Sequence, residues 1–413
     1  MNKLALSFMT RAKSALVFLF LLFLFACSTS ANAADESLIV CTKAKAKVDA
    51  VRAELTSLGC TILSEIPFKK GKFTIFQVQP TGDISATVAL IYKIKGISSV
   101  ERTPQSTFQA SGFCGVNDPD FPSQYGLQTV KWTDAICTMK LLGIGQRAIP
   151  RLTLIDSGCA KVNSGDEMND VTQFNFVDGA NGVPEFAFDA EVHGTAVCAI
   201  VGAKSDNANY IAGVGSHTLP VKIVSCRTSN GLTFRTIDVI SAMVWCVDNQ
   251  AARGGPGVVN ISVNSFGLPK YNGSFVIQEI ARNARLQGDL FVNASGNDSL
   301  VDSSPERFMR RVLALDENNL LASFSNTGPF KAAGPGVMIA TFDSPNSIAF
   351  GTGTSFASQF WTGAICLLQS LNPALNAVDA DAIVYRTAYT TTEGYKVPDI
   401  QKAVLRSALF PWM

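Results

Sequence analysis

The chain has 413 residues, 47% of them hydrophobic, with 34 basic against 33 acidic side chains and a formal net charge of +1. That hydrophobic content excludes a disordered chain, and the length leaves room for two or three domains, one with a full α/β core. Outside the start of the chain no lysine or arginine block offers the concentrated basic face that phosphate attraction needs, so nucleic acid is not an expected partner.

The first 33 residues read as an export leader. Lys3, Arg11 and Lys13 flank the start of an apolar run from Leu16 to Ala26. The run is shorter than the roughly 20 residues of a bilayer span. Ala31-Asn32-Ala33 then offers small residues for signal-peptide cleavage. Leu24-Phe25-Ala26-Cys27 offers an alternative, a lipid anchor on Cys27, although Phe25 is bulky where such a box prefers a small residue. Either route exports the chain, to a secreted or periplasmic location or, through the lipid, to the cell surface. No other membrane contact is expected. In an exported chain cysteines can pair. Beyond Cys27, Cys41 and Cys60, seven remain (Cys114, Cys137, Cys159, Cys198, Cys226, Cys246, Cys366), an odd set that leaves one thiol over unless it pairs outside. Cys114–Cys137 and Cys226–Cys246 are sequence-local candidate bridges, and the connectivity stays open.

Residues 34–110 form the next segment. Leu38-Ile39-Val40 is a short strand, and Val48, Val51, Leu55 and Leu58 share a helical stripe that ends at Gly59. Ile62 to Ile66 and Phe73 to Val78 read as strands, Ile84 to Lys95 as a second helix, and Ile97 to Glu101 as a last strand. This β-α-β-β-α-β order is the split βαβ arrangement of ferredoxin-like α+β domains. From Thr103 to Gly115 periodicity gives way to Thr, Ser, Gln, Pro and Gly, the composition of an exposed, cleavable linker.

Over residues 111–413, apolar strands (Leu152 to Ile155, Pro220 to Val224, Val258 to Ile261, Leu290 to Val292) alternate with helices such as Ile237 to Val247 and Phe275 to Leu286. The pattern predicts an α/β domain with a mostly parallel central sheet and helices on both faces, its ligands bound beyond the carboxyl ends of the strands. Four segments stand at strand ends or helix starts: Asp156-Ser157-Gly158, His193-Gly194-Thr195, Ser295-Gly296-Asn297 and Gly353-Thr354-Ser355-Phe356-Ala357-Ser358. Each taken alone is ordinary: a turn, a structural histidine, another turn, a serine cap. With only His193 and His217 in the chain, a histidine acid–base role has few candidates. Ser355 at a helix start would lie near unpaired N–H groups and the positive end of the macrodipole.

Taken in order, Asp156, His193 and Ser355 follow the acid–histidine–serine sequence of subtilisin-like proteases, not the serine-first order of α/β-hydrolases, which argues against an esterase. The segment around Ser355 resembles the subtilase signature Gly-Thr-Ser-x-Ala-Ser, and the other three resemble the family's aspartate, histidine and oxyanion motifs. Asn117-Asp118-Pro119, Pro220-Val221-Lys222-Ile223-Val224, Asn260-Ile261-Ser262 and Ala333-Gly334-Pro335-Gly336-Val337 extend the likeness over roughly residues 117 to 404. Residues 37 to 103 resemble the family's inhibitory propeptide. Departures are Gln359 where the family usually places proline, Val192 before the histidine, and cysteines at 159, 198 and 366.

The resemblance implies a serine endopeptidase, hydrolysing protein or peptide substrates through an acyl-enzyme and made as a zymogen. Its own propeptide would act as an intramolecular inhibitor until self-cleaved in the linker. Ser355 would be nucleophile, His193 base, Asp156 its orienter and Asn297 oxyanion donor, with Ser262, Val263, Asn264, Ala294, Ser295 and Gly296 as cleft walls. Activity should fall as pH drops through about 6–7, where histidine titrates. The chemistry calls for no cofactor. Family members often bind calcium structurally, and Asp118, Asp120, Asp166 and Asp178 are acids available for it, without a ligand set emerging from their spacing. A monomer is expected. The alternative is a catalytically silent binding protein on the same fold.

Overall fold

The computed structural model describes residues 38–43, 46–68, 73–102, 115–162, 167–168, 170–231, 233–262, 274–344 and 347–409. The leader with Cys27, most of the linker, Cys114, Asp166, Val263 and Asn264 lie outside the described residues. The chain divides into two units, Met1–Gln109 and Ala110–Met413.

In the first unit, β1 (Leu38–Thr42), α1 (Val48–Ser57), β2 (Cys60–Phe68), β3 (Phe73–Pro80), α2 (Ile84–Ile91) and β4 (Ile97–Arg102) follow the order read from the sequence. The four strands form one sheet in the order β2-β3-β1-β4 with antiparallel neighbours. Val51 and Leu55, from the predicted stripe, are buried against Leu38, Val40, Phe76 and Val78. The second helix stops at Ile91, earlier than the expected Lys95, because residues 92–96 turn into β4.

The second unit holds an eight-stranded sheet in the order β12-β11-β10-β9-β5-β8-β6-β7. Its strands are β5 (Arg151–Asp156), β6 (Val171–Asn175), β7 (Val183–Glu185), β8 (Lys222–Arg227), β9 (Val258–Ile261), β10 (Leu290–Ala294), β11 (Arg310–Leu315) and β12 (Ala333–Pro335). Every neighbouring pair is parallel except β6 with the edge strand β7. The near-continuous apolar strands are what burial on both faces demands: β9 and β10 are buried throughout. Helices α3 (Tyr125–Thr129) and α4 (Trp132–Leu142) precede β5, and one face of the sheet packs on α5 (His193–Gly202) and α8 (Thr354–Leu371). The other packs on α6 (Thr236–Asp248) and α7 (Phe275–Leu286). Apart from Gln359 and Gln369, helix α8 carries apolar or small side chains on all sides, and it is almost wholly buried, as a helix without a polar face must be.

The register sets the site. Ile155, Ile261 and Asn293 are paired across β5, β9 and β10. The residues that follow, Asp156, Ser262 and Ala294, therefore stand side by side at the sheet's carboxyl edge.

Candidate active site

Asp156 ends β5, His193 opens α5 and Ser355 stands in the first turn of α8. Nδ1 of His193 lies 2.7 Å from Asp156 Oδ1, and its Nε2 lies 3.1 Å from Ser355 Oγ. With Nδ1–H donated to the carboxylate, a neutral ring turns the Nε2 lone pair toward the serine hydroxyl. Asp156 and Ser355 are buried, while the imidazole keeps 36% exposure. Burial, the largest single cause, lowers the His193 pKa, and the charge and hydrogen bond of Asp156 oppose it. With Asp189 and Glu191 adding to them, they raise the ring to about 9. His217 takes no part: burial lowers its pKa, and its charged neighbours are Lys140 and Asp206.

Glycines let the aspartate and histidine motifs touch. A Cβ on Gly194 would stand 1.9 Å from the Gly158 carbonyl oxygen. The Gly194 N–H donates to Ser157 Oγ over 2.9 Å, and that hydroxyl also lies 3.2 Å from Asp156 Oδ1 and 2.9 Å from Asp189 Oδ1. Asp189 in turn accepts from Thr195 N (2.7 Å) and Thr195 Oγ1 (2.8 Å), an anion on the first turn of α5. This brace was not read from the sequence. Its one signal was an acid four residues before the histidine.

Ala294 and Ser295 are buried at the exit of β10, and Gly296 follows with φ of +103°. Thr354 fastens this turn to α8. Its Oγ1 accepts from Gly296 N (3.0 Å), and its N and Oγ1 both donate to Asn297 Oδ1 (2.9 and 2.8 Å). The amide of Asn297 is thereby oriented, and its Nδ2 donates to no acceptor among the described residues. Gly353 separates that amide from the serine. A Cβ placed on it would lie 3.3 Å from both Asn297 Nδ2 and Ser355 Oγ, so a side chain there would fill the space between donor and hydroxyl. Ser355 N, in the first helical turn, has no partner within the helix. The arrangement offers a hydroxyl, a base for its proton, and two N–H groups aimed where negative charge would gather.

Of the proposed cleft walls, Ser262 is buried just past β9 and donates to Asn260 Oδ1 over 2.6 Å. Of the acids offered for calcium, Asp118 accepts N–H groups from Asp206 (2.8 Å) and Asn207 (3.0 Å), and Asp178 pairs with Arg235. Among the described residues two buried acids keep a bare oxygen: Asp156, at Oδ2, and Glu167, which the sequence did not single out. Glu167 is buried, Oε2 accepts from Asn207 Nδ2 over 2.8 Å, and Oε1 has no partner. Burial pushes its pKa up to about 8. Among the described residues no three His, Cys, Asp or Glu side chains converge on one point.

Cys137 is in a disulfide, whereas Cys226 and Cys246 stand as buried thiols with sulfurs 3.8 Å apart rather than bridged. Cys159 and Cys198 also remain thiols, next to the aspartate and histidine motifs.

An α/β sheet with serine, histidine and aspartate in line at its carboxyl edge has the makings of a serine peptidase, and comparison with known proteins gives the family. The Subtilase family model matches residues 114–404. A thermophilic serine proteinase of Bacillus sp. strain AK1 is 27% identical over 323 residues, covering 76% of this chain and 73% of that one. Subtilisin DY of Bacillus licheniformis is 29% identical over 235 residues, covering 55% and 79%. A solved protease of Pseudoalteromonas arctica has the same fold, with a TM-score of 0.59 at 20% identity, over 71% of this chain and 99% of that one. The chain belongs to the subtilase family. It is a serine-type endopeptidase that acts on proteins or peptides.

Proposed function

We propose that Ser355 attacks the scissile carbonyl while His193 takes its proton and later delivers it to the leaving amine. Asp156 holds the imidazole in the required tautomer and stabilises its charged form, and Asn297 Nδ2 with Ser355 N–H receives the oxyanion. The observation that carries this reading is the unbroken line from Asp156 through His193 to Ser355, at 2.7 and 3.1 Å. Cleavage of a peptide library by the mature form tests it. Ser355→Ala should lose on the order of a millionfold in kcat, and a variant that keeps a tenth of the activity would refute the assignment.

The ferredoxin-like first unit and the linker after it support synthesis as a zymogen, and the apolar leader supports export. We read the first unit as an inhibitory propeptide that the enzyme removes from itself. A structural calcium finds no ligand set among the described residues: Glu167 offers one buried oxygen, and a hard cation needs several that converge.

A further inference from the structure

Gln359 sits one turn beyond Ser355 on α8, with its side chain wholly inside the protein. Its Nε2 is 2.9 Å from Asn260 Oδ1, 3.0 Å from Ser262 Oγ and 3.3 Å from the Ser355 carbonyl oxygen. The surrounding bonds fix which way this amide faces. Asn260 Nδ2 donates to Ser358 Oγ (3.0 Å) and Thr362 Oγ1 (2.9 Å), so its Oδ1 must be the acceptor toward Gln359. Ser262 spends its single proton on that same Oδ1 and can only accept from Gln359. Ser358 and Thr362 spend theirs on the carbonyls of Ser355 and Ser358. Every donor in the cluster therefore has one consistent direction, and Gln359 Nε2 is the group that joins the strand exit to the nucleophile's turn.

The other end of the amide is unsatisfied: Oε1 is buried and has no partner. A buried acceptor left bare works against stability. An apolar side chain of the same length would fill the space without that penalty, so the fold by itself gives no reason for glutamine.

We infer that Gln359 is a positioning residue, which sets the distance between the Ser262 exit of β9 and Ser355 and thereby aligns an extended substrate with the nucleophile. The inference rests on Ser355 being the nucleophile and Ser262 a cleft wall. It differs from a packing role in a measurable way. Gln359→Met keeps volume and chain length but removes the donor. Its melting temperature should equal or exceed that of the parent. Its kcat/KM should drop about tenfold, the worth of one lost hydrogen bond, on a peptide extending four residues before the scissile bond, and less than threefold on a single-residue ester. Gln359→Leu, also without the donor, should show the same peptide-to-ester change, and keeps the test open if the methionine variant fails to fold. Ser262→Ala combined with Gln359→Met should be no worse on the peptide than the poorer single variant, because both break one link.

An unchanged peptide-to-ester ratio in both Gln359 variants, or losses that multiply in the double variant, would overturn the inference. So would a lower melting temperature with equal losses on both substrates. If a fluorophosphonate fails to label Ser355 in the parent protein, the nucleophile assignment falls first, and this inference with it.

Discussion

At the residue scale, the proton on His193 answers to three carboxylates. Asp156, Asp189 and Glu191 raise the ring above the ordinary histidine value despite its burial, to about 9. The base must be neutral to accept the serine proton, so a raised pKa moves the loss of activity to higher pH. The acid limb of kcat/KM should lie above 6.5, on the alkaline side of the 6–7 read from an ordinary histidine. Glu191→Gln, which keeps an acceptor for Ser229 and Gly231 but removes a charge, should move the limb toward acid. A limb that stays at about 6.5 in both proteins would show that the carboxylates do not reach the ring. Asn297→Ala should lower kcat by about 10²–10³ with little change in KM, since its Nδ2 matters once charge has developed on the substrate oxygen. An equal loss expressed in KM alone would assign Asn297 to ground-state binding instead.

At the element scale, α5 starts under strain. Val192, immediately before it, holds φ of +67°, a region that β-branched residues avoid. Asp189 on Thr195 and Ser157 under Gly194 hold the turn in place. Val192→Asn should relieve about 1 kcal/mol and raise the melting temperature while leaving the histidine braced. A fall in stability would mean that the valine side chain contributes more by packing than its backbone costs. Gly194→Ala should be far more damaging, because its Cβ has only the Gly158 backbone to meet.

The element pattern was largely legible in the sequence. Helix Phe275–Leu286 and strand Val258–Ile261 coincide with the observed bounds, because a clear stripe or a continuous apolar run ends there at polar residues. Strand Pro220 to Val224 slid to Lys222–Arg227: Pro220 cannot donate to the ladder, and Ser225 and Arg227 are buried despite their polarity. Polar contacts were not legible. Thr354, Glu167 and Gln359 meet partners brought in from segments far apart in the chain, and no local spacing announces this.

At the scale of the molecule, burial of the Glu167 carboxyl makes stability answer to its protonation. A buried carboxylate with a bare oxygen needs a proton or a cation. If calcium is that cation, adding it should raise the melting temperature at neutral pH, chelator should lower it, and Glu167→Gln should flatten the response. A parent protein indifferent to chelator would remove calcium from the account. The zymogen reading concerns the whole chain as well. Ser355→Ala, produced where no other protease is present, should retain residues 34–110, and its appearance already trimmed would refute self-processing.

The most direct test of the account is chemical. The mature protein, treated with a fluorophosphonate and digested for mass spectrometry, should carry one phosphonyl group, on Ser355. Labelling should vanish in Ser355→Ala and slow by at least about a thousandfold in His193→Ala. Label on another serine, or a His193→Ala variant that reacts as fast as the parent, would contradict a hydroxyl activated by that imidazole.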